Sequence, residues 1–420
     1  MERVELMRVG EATGCAVKRG GFVFLCDPKW GAKEMAQFEE FGKMAGAMEC
    51  PESGWLCLPT GGTGGALRFA RHDERTLSVA VAGFCEYFGI ARVNAVDVLP
   101  AHHASGFMSR VRCAATGGAH VPWSWKEIGK GNYPGMEKTP DGWVVSLVPT
   151  QLQRLLVAGE RALFWLHQFR IIFIGGGPVW SQLMSDAALA RLPVVFSYGM
   201  TETGAMVTAQ RPGDFARGDR SSGHVMPHTR VMIVDPETGG GAEGGRTACG
   251  RAAGGGTAGG GMPCGGTGVV RISAGSLFRG YFPDTREGDF FETEDLAYWD
   301  ERGGLNIVGR RDAVIITGGK KVMPVEVMEV LRTSGVFADL AVVGVADAEW
   351  GRKVVVCYPG RAGSRPDMRR VESVLHSLAK YKWPKAYVAV AEWPRNEQGK
   401  LNRAALVAAA ESALASAAPM

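Results

Sequence analysis

Five short segments concentrate the residue types from which chemistry is made. Thr60, Gly61, Gly62, Thr63, Gly64 and Gly65, followed by Ala66, Leu67 and Arg68, combine glycines, hydroxyls and a cation. Glycines let backbone N–H groups turn toward an anion, so this composition suits a phosphate. No Gly-Lys-Ser/Thr closes the loop, so it is not a Walker A motif, and on its residues alone an ordinary glycine turn fits equally. Tyr198, Gly199, Met200, Thr201, Glu202 and Thr203 place an aromatic ring, a tight turn, a hydroxyl and a carboxylate in a row. That order suits a purine face, a phosphate oxygen and Mg²⁺, with a Thr-Glu helix cap as the bland alternative. Asp295, inside FFETEDLAYWD, could accept two ribose hydroxyls or simply occupy an exposed turn. Arg310, Arg311 and Asp312 fall in GRRDAVIITGGKK, and Lys400 in PRNEQGKLNR, where a solvated hairpin and a solvated lysine are the ordinary readings.

Positioning such groups requires a folded scaffold, and the composition provides for one. Hydrophobic residues make up 46% and charged residues 21%, which excludes wholesale disorder and a coiled coil. Lys plus Arg number 47 against 43 for Asp plus Glu, too even for a nucleic-acid binder but compatible with small anions. Nine cysteines form no CxxC pair, so neither a zinc site nor a disulfide framework is expected, and a reducing cytoplasm is the expected compartment. The opening residues make a poor signal peptide, and no uncharged stretch reaches the ~18 residues of a membrane span, so no membrane insertion is expected.

Residues 55–59 read as a strand, and residues 73–89 have helical spacing with Asp73 as the cap. Strand-like runs at 144–149, 170–174 and 194–199 alternate with helical patterns at 150–156 and 178–191. This alternation predicts an α/β fold with a mainly parallel sheet and ligands at the strand carboxyl ends, where the glycine loops lie. On this reading the loop at residue 60 joins a strand to a helix. Residues 239–266 differ, since 14 of the 28 are glycine. They are expected to form a structureless surface loop between strands at 229–235 and 269–272. The GxGxxG match inside this segment has no strand leading in and no helix leading out, so it is compositional. Residues from about 313 to 410 have their own strands and helices, including one across 368–381, and read as a small α+β domain.

Taken together and in this order, the segments resemble the adenylate-forming superfamily of acyl-CoA ligases over residues 55–410. TGGTGGALR resembles the phosphate loop, YGMTET the adenine and magnesium motif, ETEDLAYWD the ribose motif, GRRDAVIITGGKK the hinge, and PRNEQGK the catalytic-lysine motif. The resemblance implies a large adenylate-forming domain over residues 1–311 and a mobile lid over 312–420, hinged at Asp312. It implies ATP, Mg²⁺ and coenzyme A as cofactor and co-substrates. Nucleotide contacts would come from the loop Thr60 to Gly65, Gly175, Gly176, Gly177, Tyr198, Gly199, Thr201, Asp295 and Arg310. Glu202 would hold the metal, and Lys400, Glu202 and His103 would be the catalytic set. The lid turn at Gly318 and Gly319 would line a channel for the coenzyme A thiol.

A narrower likeness is to the o-succinylbenzoate-CoA ligases of menaquinone synthesis, carried by LPAHHASGFMSRVR and VSLVPTQLQRLL. It implies that His103 and Ser105 border the acyl pocket and that Arg112 holds a second substrate carboxylate, a task suited to a guanidinium fork. The partner is then a small carboxylic acid, with no nucleic acid, and a homo-oligomer remains open. The alternatives are an acyl- or aryl-CoA ligase of other specificity, or a weak nucleotide-binding remnant. Three departures stand out. Gly64 replaces a hydroxyl residue, Glu294 replaces a glycine, and only 59 residues precede the loop, fewer than the family carries. A reduced first subdomain is therefore expected, covered by a partner subunit or less stable.

Overall fold

Apolar runs between glycine loops become the strands of a seven-stranded sheet. In this computed structural model, residues 1–61, 66–236, 240–244, 266–361, 363–394 and 401–417 are described. Ala95–Asp97, His120–Pro122, Val144–Leu147, Ile171–Ile174 and Val194–Met200 pair in parallel. Ala205–Ala209 and His224–Val225 extend the sheet antiparallel. The parallel strands are almost wholly apolar because helices cover both faces. Alternation assigns the faces: Val145, Ile172, Val194 and Phe196 pack with Leu152, Trp165 and Leu183 of three helices. Their neighbours Val144, Ile171, Phe173 and Val195 pack with Phe84 and Phe88 of Glu74–Phe88 and Cys113 of Ala104–Thr116 on the other face.

Glu74–Phe88 begins as its sequence predicts. Asp73 accepts the Thr76 backbone N–H at 2.9 Å, the Thr76 hydroxyl accepts the Asp73 N–H at 3.0 Å, and Gly89 at φ +60° stops the helix. Asp73 does more than cap: it also receives the Gly54 N–H and the Arg279 guanidinium, tying three distant segments together.

The glycine loop differs from expectation. Leu56–Gly61 and Leu67–His72 pair antiparallel in a four-stranded sheet with Ala16–Arg19 and Phe22–Leu25. The segment after Gly61 therefore leads into the second strand of a hairpin, where a helix was expected. The alternating residues of Leu67–His72 explain this, since Phe69 enters an aromatic cluster with Phe22, Phe24, Phe38 and Phe282.

A five-stranded antiparallel sheet follows, ordered Gly241–Glu243, Thr229–Val234, Gly268–Ala274, Phe291–Trp299 and Leu305–Arg310. Part of the glycine-rich insert is thus a strand, contrary to the expected structureless loop, while residues 245–265 lie outside the described residues. Ala242 offers its carbonyl to the Trp299 indole, Glu243 pairs with Arg230 at 2.9 Å, and Gly244 leaves room for the Trp299 ring. A Cβ at Gly244 would stand 2.2 Å from that ring.

A last sheet contains Ile315–Thr317, Lys320–Val322, Ala341–Asp347, Gly351–Pro359 and Ala386–Val390. Pro324–Thr333, Met368–Leu375 and Arg403–Ala417 pack on it. The helix expected across 368–381 stops at Leu375, and Lys380–Lys382 form a separate 3-10 turn. Ser181 at the start of Ser181–Leu189 donates its backbone N–H to Glu329 of Pro324–Thr333 at 2.7 Å, and Arg332 lies 4.4 Å over the Trp180 ring. Among the described residues no helix is long and apolar enough to cross a membrane.

Candidate active site

Val194–Met200 runs out of the sheet into a single 3-10 turn, Thr201–Thr203, closed by Gly204 at φ +67°. The turn returns at once into Ala205–Ala209, and Gly199 permits the close approach, since a Cβ there would lie 2.0 Å from the Ala205 carbonyl oxygen. Glu202 is 7% exposed at the turn's centre. Its Oε1 accepts the Tyr281 hydroxyl at 2.7 Å and the Thr60 hydroxyl at 3.2 Å, and its carbonyl accepts the Phe278 N–H at 2.8 Å. Two segments far apart in sequence, around Thr60 and Tyr281, converge on this carboxylate. Burial, then the Glu202 charge, push the Tyr281 phenol well above its ordinary range, so it remains a proton donor.

His72 braces the turn from beneath. Its Nε2 donates to the Thr201 carbonyl at 2.8 Å, with Thr76 Oγ1 at 3.1 Å from Nδ1. Burial lowers its pKa to about 4, so it is neutral near pH 7. Arg68, just past the glycine loop, lies 4.3 Å over the Tyr281 ring, a cation–π contact that brings the loop's cation beside the partner of Glu202.

A second cluster lies beside the first. The Tyr198 hydroxyl donates to Asp295 Oδ2 at 2.7 Å. Asp295 sits opposite Arg310 in the register of Phe291–Trp299 and Leu305–Arg310, and Arg310 approaches its Oδ1 at 4.0 Å. Arg310 also forks onto Asp312 at 2.9 and 2.7 Å. Burial raises the pKa of Asp295 and, first among its causes, that of Tyr198. The alternation of the strand turns Glu294 the other way, where it takes the Arg311 fork at 3.1 and 3.0 Å. The unexpected charge at that position is thus paired away from Asp295.

The remaining expected residues spread along the carboxyl ends of the strands and one helix. Gly175 lies beside Ser197, where a Cβ would meet Oγ at 3.1 Å, and Gly176 has φ +76°. Gly177 borders Pro149. His103 stands at the N-terminus of Ala104–Thr116, its ring 4.2 Å from that of His102, which approaches Asp27 at 3.3 Å. Ser105 is exposed in the first turn. Arg112 is not at that end. Nine residues on, it lies about 13 Å further along the helix axis, 5% exposed, with its guanidinium 4.3 Å over Phe84. Gly62, Thr63, Gly64, Gly65 and Lys400 lie outside the described residues.

Tyr281 and His72 carry no sequence signal, because their contacts to the turn span 79 and 129 residues. For a cation, Glu202 and Thr60 offer hard oxygen donors of the kind Mg²⁺ prefers, so the residues present fit the metal expected there. A further group of ligand types, Asp214, Asp219 and His224, lies within 4.8 Å. Its members are engaged by Arg217, Ser221 and the Gly303 carbonyl.

A doubly covered parallel sheet whose glycine turns carry Glu202 and Tyr198 at the carboxyl ends defines a nucleotide-binding α/β class. Residues 23–282 match the model of the AMP-binding enzyme family, and the chain belongs to that family. It is 26% identical over 361 residues to an indoleacetate–CoA ligase of Aromatoleum aromaticum, covering 84% of this chain and 66% of the relative. It is 31% identical over 266 residues to a 2-succinylbenzoate–CoA ligase of Bacillus licheniformis, covering 62% and 50%. Among solved structures it is similar to the o-succinylbenzoate CoA synthetase MenE from Bacillus subtilis in complex with an acyl-adenylate, at TM-score 0.69 and 21% identity over 97% and 81% of the two chains. ATP-bound MatB from Rhodopseudomonas palustris superposes at TM-score 0.67 with 25% identity over 87% and 72%. The chain spans half to two thirds of the length of these two curated ligases.

Proposed function

We propose that the chain is an ATP-dependent acid–CoA ligase and that its acid is 2-succinylbenzoate. The observation that carries the reading is the convergence of Thr60 and Tyr281 on Glu202 beside the Tyr198–Asp295–Arg310 cluster. In the first half-reaction a substrate carboxylate oxygen bonds to the α-phosphorus of ATP while the bond to pyrophosphate breaks. Glu202 and Thr60 would hold Mg²⁺, which neutralises charge on the phosphate oxygens. Asp295 would accept ribose hydroxyls, displacing or sharing the Tyr198 hydroxyl, and the loop at residues 60–65 would cradle the β and γ phosphates. Lys400 is assigned the charge developing on the transferring group.

In the second half-reaction the thiol sulfur of coenzyme A bonds to the acyl carbon and AMP leaves, the thiol proton passing to solvent or phosphate. The lid surface supports this co-substrate. Trp350 is 40% exposed beside Gly318, with Lys385 5.2 Å over its ring, and Lys320 lies 4.7 Å over Tyr381. Cations interleaved with rings suit a nucleotide bearing several phosphates. Residues 1–311 would form the adenylating body and 312–420 a lid turning about Asp312, so that one site serves two transition states.

ATP–pyrophosphate exchange across a panel of carboxylic acids tests the reading, with 2-succinylbenzoate expected to give the highest kcat/KM. A second reading, a ligase for an aryl monocarboxylate, is favoured by the broader match to the indoleacetate–CoA ligase. Preference for such an acid in the same panel would select it.

A further inference from the structure

Arg112 is a buried cation for which the described residues supply an aromatic ring but no counter-charge. A guanidinium cannot shed its proton at neutral pH, and an isolated buried charge is among the costliest groups in a protein. Burial lowers its pKa to about 10, which leaves it charged. Among the described residues its Nε has no hydrogen-bond partner, and no carboxylate is among the groups acting on it. The ionisable neighbours are Cys85 and Cys113, whose thiols burial pushes up, that of Cys113 to about 12, so neither supplies a negative charge near pH 7.

His228 faces the same place from the segment between His224–Val225 and Thr229–Val234. Both its ring nitrogens are buried and, among the described residues, without partners. Burial, then the charge of Arg112, lower its pKa to about 4, so it is neutral and presents one N–H donor. The ring fits because position 83 on the facing helix is glycine, where a Cβ would lie 1.9 Å from His228 Nδ1. Phe84, Phe88 and Phe173 supply an aromatic wall, their ring centres 4.9 to 5.4 Å apart. A buried cation over Phe84 and a buried neutral donor against the adjacent Gly83, each with unpaired nitrogens among the described residues, are together the complement of an aryl carboxylate.

We propose that His228 is a specificity-determining residue, sharing with Arg112 the recognition of a carboxylate at the far end of the acyl substrate. This rests on the acid–CoA ligase reading and deepens it. The charge comes from Arg112, and His228 adds direction without adding a second unpaired cation. Arg112 follows His103 by nine residues on one helix, an axial separation of about 13 Å that a long side chain leaning toward the helix N-terminus shortens but does not close. The two carboxylates of the acid must therefore stand well apart. A short diacid such as malonate cannot bridge them, whereas an acid with its carboxylates on a ring and a chain can.

The experiment compares 2-succinylbenzoate with 4-oxo-4-phenylbutanoate, which lacks only the ring carboxylate, in the full chain and in His228→Phe and His228→Asn. In ATP–pyrophosphate exchange, the preference for the diacid should fall roughly 10- to 100-fold in His228→Phe, through KM rather than kcat, and recover in large part in His228→Asn. Equilibrium dialysis of the two acids without ATP should give the same order. An unchanged preference in His228→Phe, or an equal loss for both acids, overturns the proposal. Failure of the ligase reading appears differently, as no exchange with any acid, and the dialysis arm then still decides whether Arg112 and His228 bind the ring carboxylate.

Discussion

Tyr281 and Glu202 stand 79 residues apart in the chain, yet the phenol of one donates to the carboxylate of the other at 2.7 Å. That bond fixes which oxygen of Glu202 faces the Thr60 hydroxyl, so the carboxylate that should hold the metal is oriented before any ligand arrives. Tyr281→Phe removes the donor and keeps the ring under Arg68. The Mg²⁺ concentration for half-maximal exchange should rise about tenfold, which corresponds to about 1.4 kcal/mol. An unchanged Mg²⁺ dependence would show that Tyr281 does not orient Glu202.

Asp73 gives a stability test with a defined pH dependence. Burial opposes its charge, but the Arg279 guanidinium and the N–H groups of Thr76 and Gly54 outweigh it and hold its pKa below the ordinary value. A folded-state pKa below the unfolded one contributes stability above the unfolded value of about 3.9 and loses it as pH falls through the folded value. Asp73→Asn should therefore cost about 2 to 4 kcal/mol at pH 7. Urea unfolding should show the gap narrowing below about pH 4, and a gap independent of pH would contradict the assignment.

The glycine-rich segment yields a third prediction. Gly244→Ala would drive a Cβ into the Trp299 ring, so a cost of about 1 to 3 kcal/mol is expected. Chemical denaturation followed by tryptophan fluorescence measures it. No change in midpoint would mean that Gly241–Glu243 is not held against the sheet as described.

Lys400 separates the half-reactions. Lys400→Ala should abolish exchange while sparing thioester formation from a supplied acyl-adenylate, measured by consumption of the coenzyme A thiol. Equal loss of both half-reactions would remove the role assigned to Lys400.

What could be read from the residues follows the range of the forces involved. The parallel strands and the Asp73 cap are set by neighbours within a few residues, and their spacing shows them. The ordered segments around Glu202, Asp295 and Asp312 gave the resemblance and, through it, the family. The hairpin after residue 61 was missed because Leu67–His72 is held by Phe69 in a distant aromatic cluster. The strand at Gly241–Glu243 was hidden by a composition with almost no apolar side chains, and its order comes from Trp299 and Arg230. Tyr281, His72 and His228 act across the fold, and no local pattern marks them.

The central claim is that this site joins a dicarboxylic acid to AMP. Pyrophosphate exchange into ATP, with 2-succinylbenzoate as the added acid, tests it most directly. The account predicts exchange that depends on that acid and on Mg²⁺, with a higher kcat/KM than for 4-oxo-4-phenylbutanoate or indoleacetate. Exchange driven best by a monocarboxylate, or none with any acid, would contradict it.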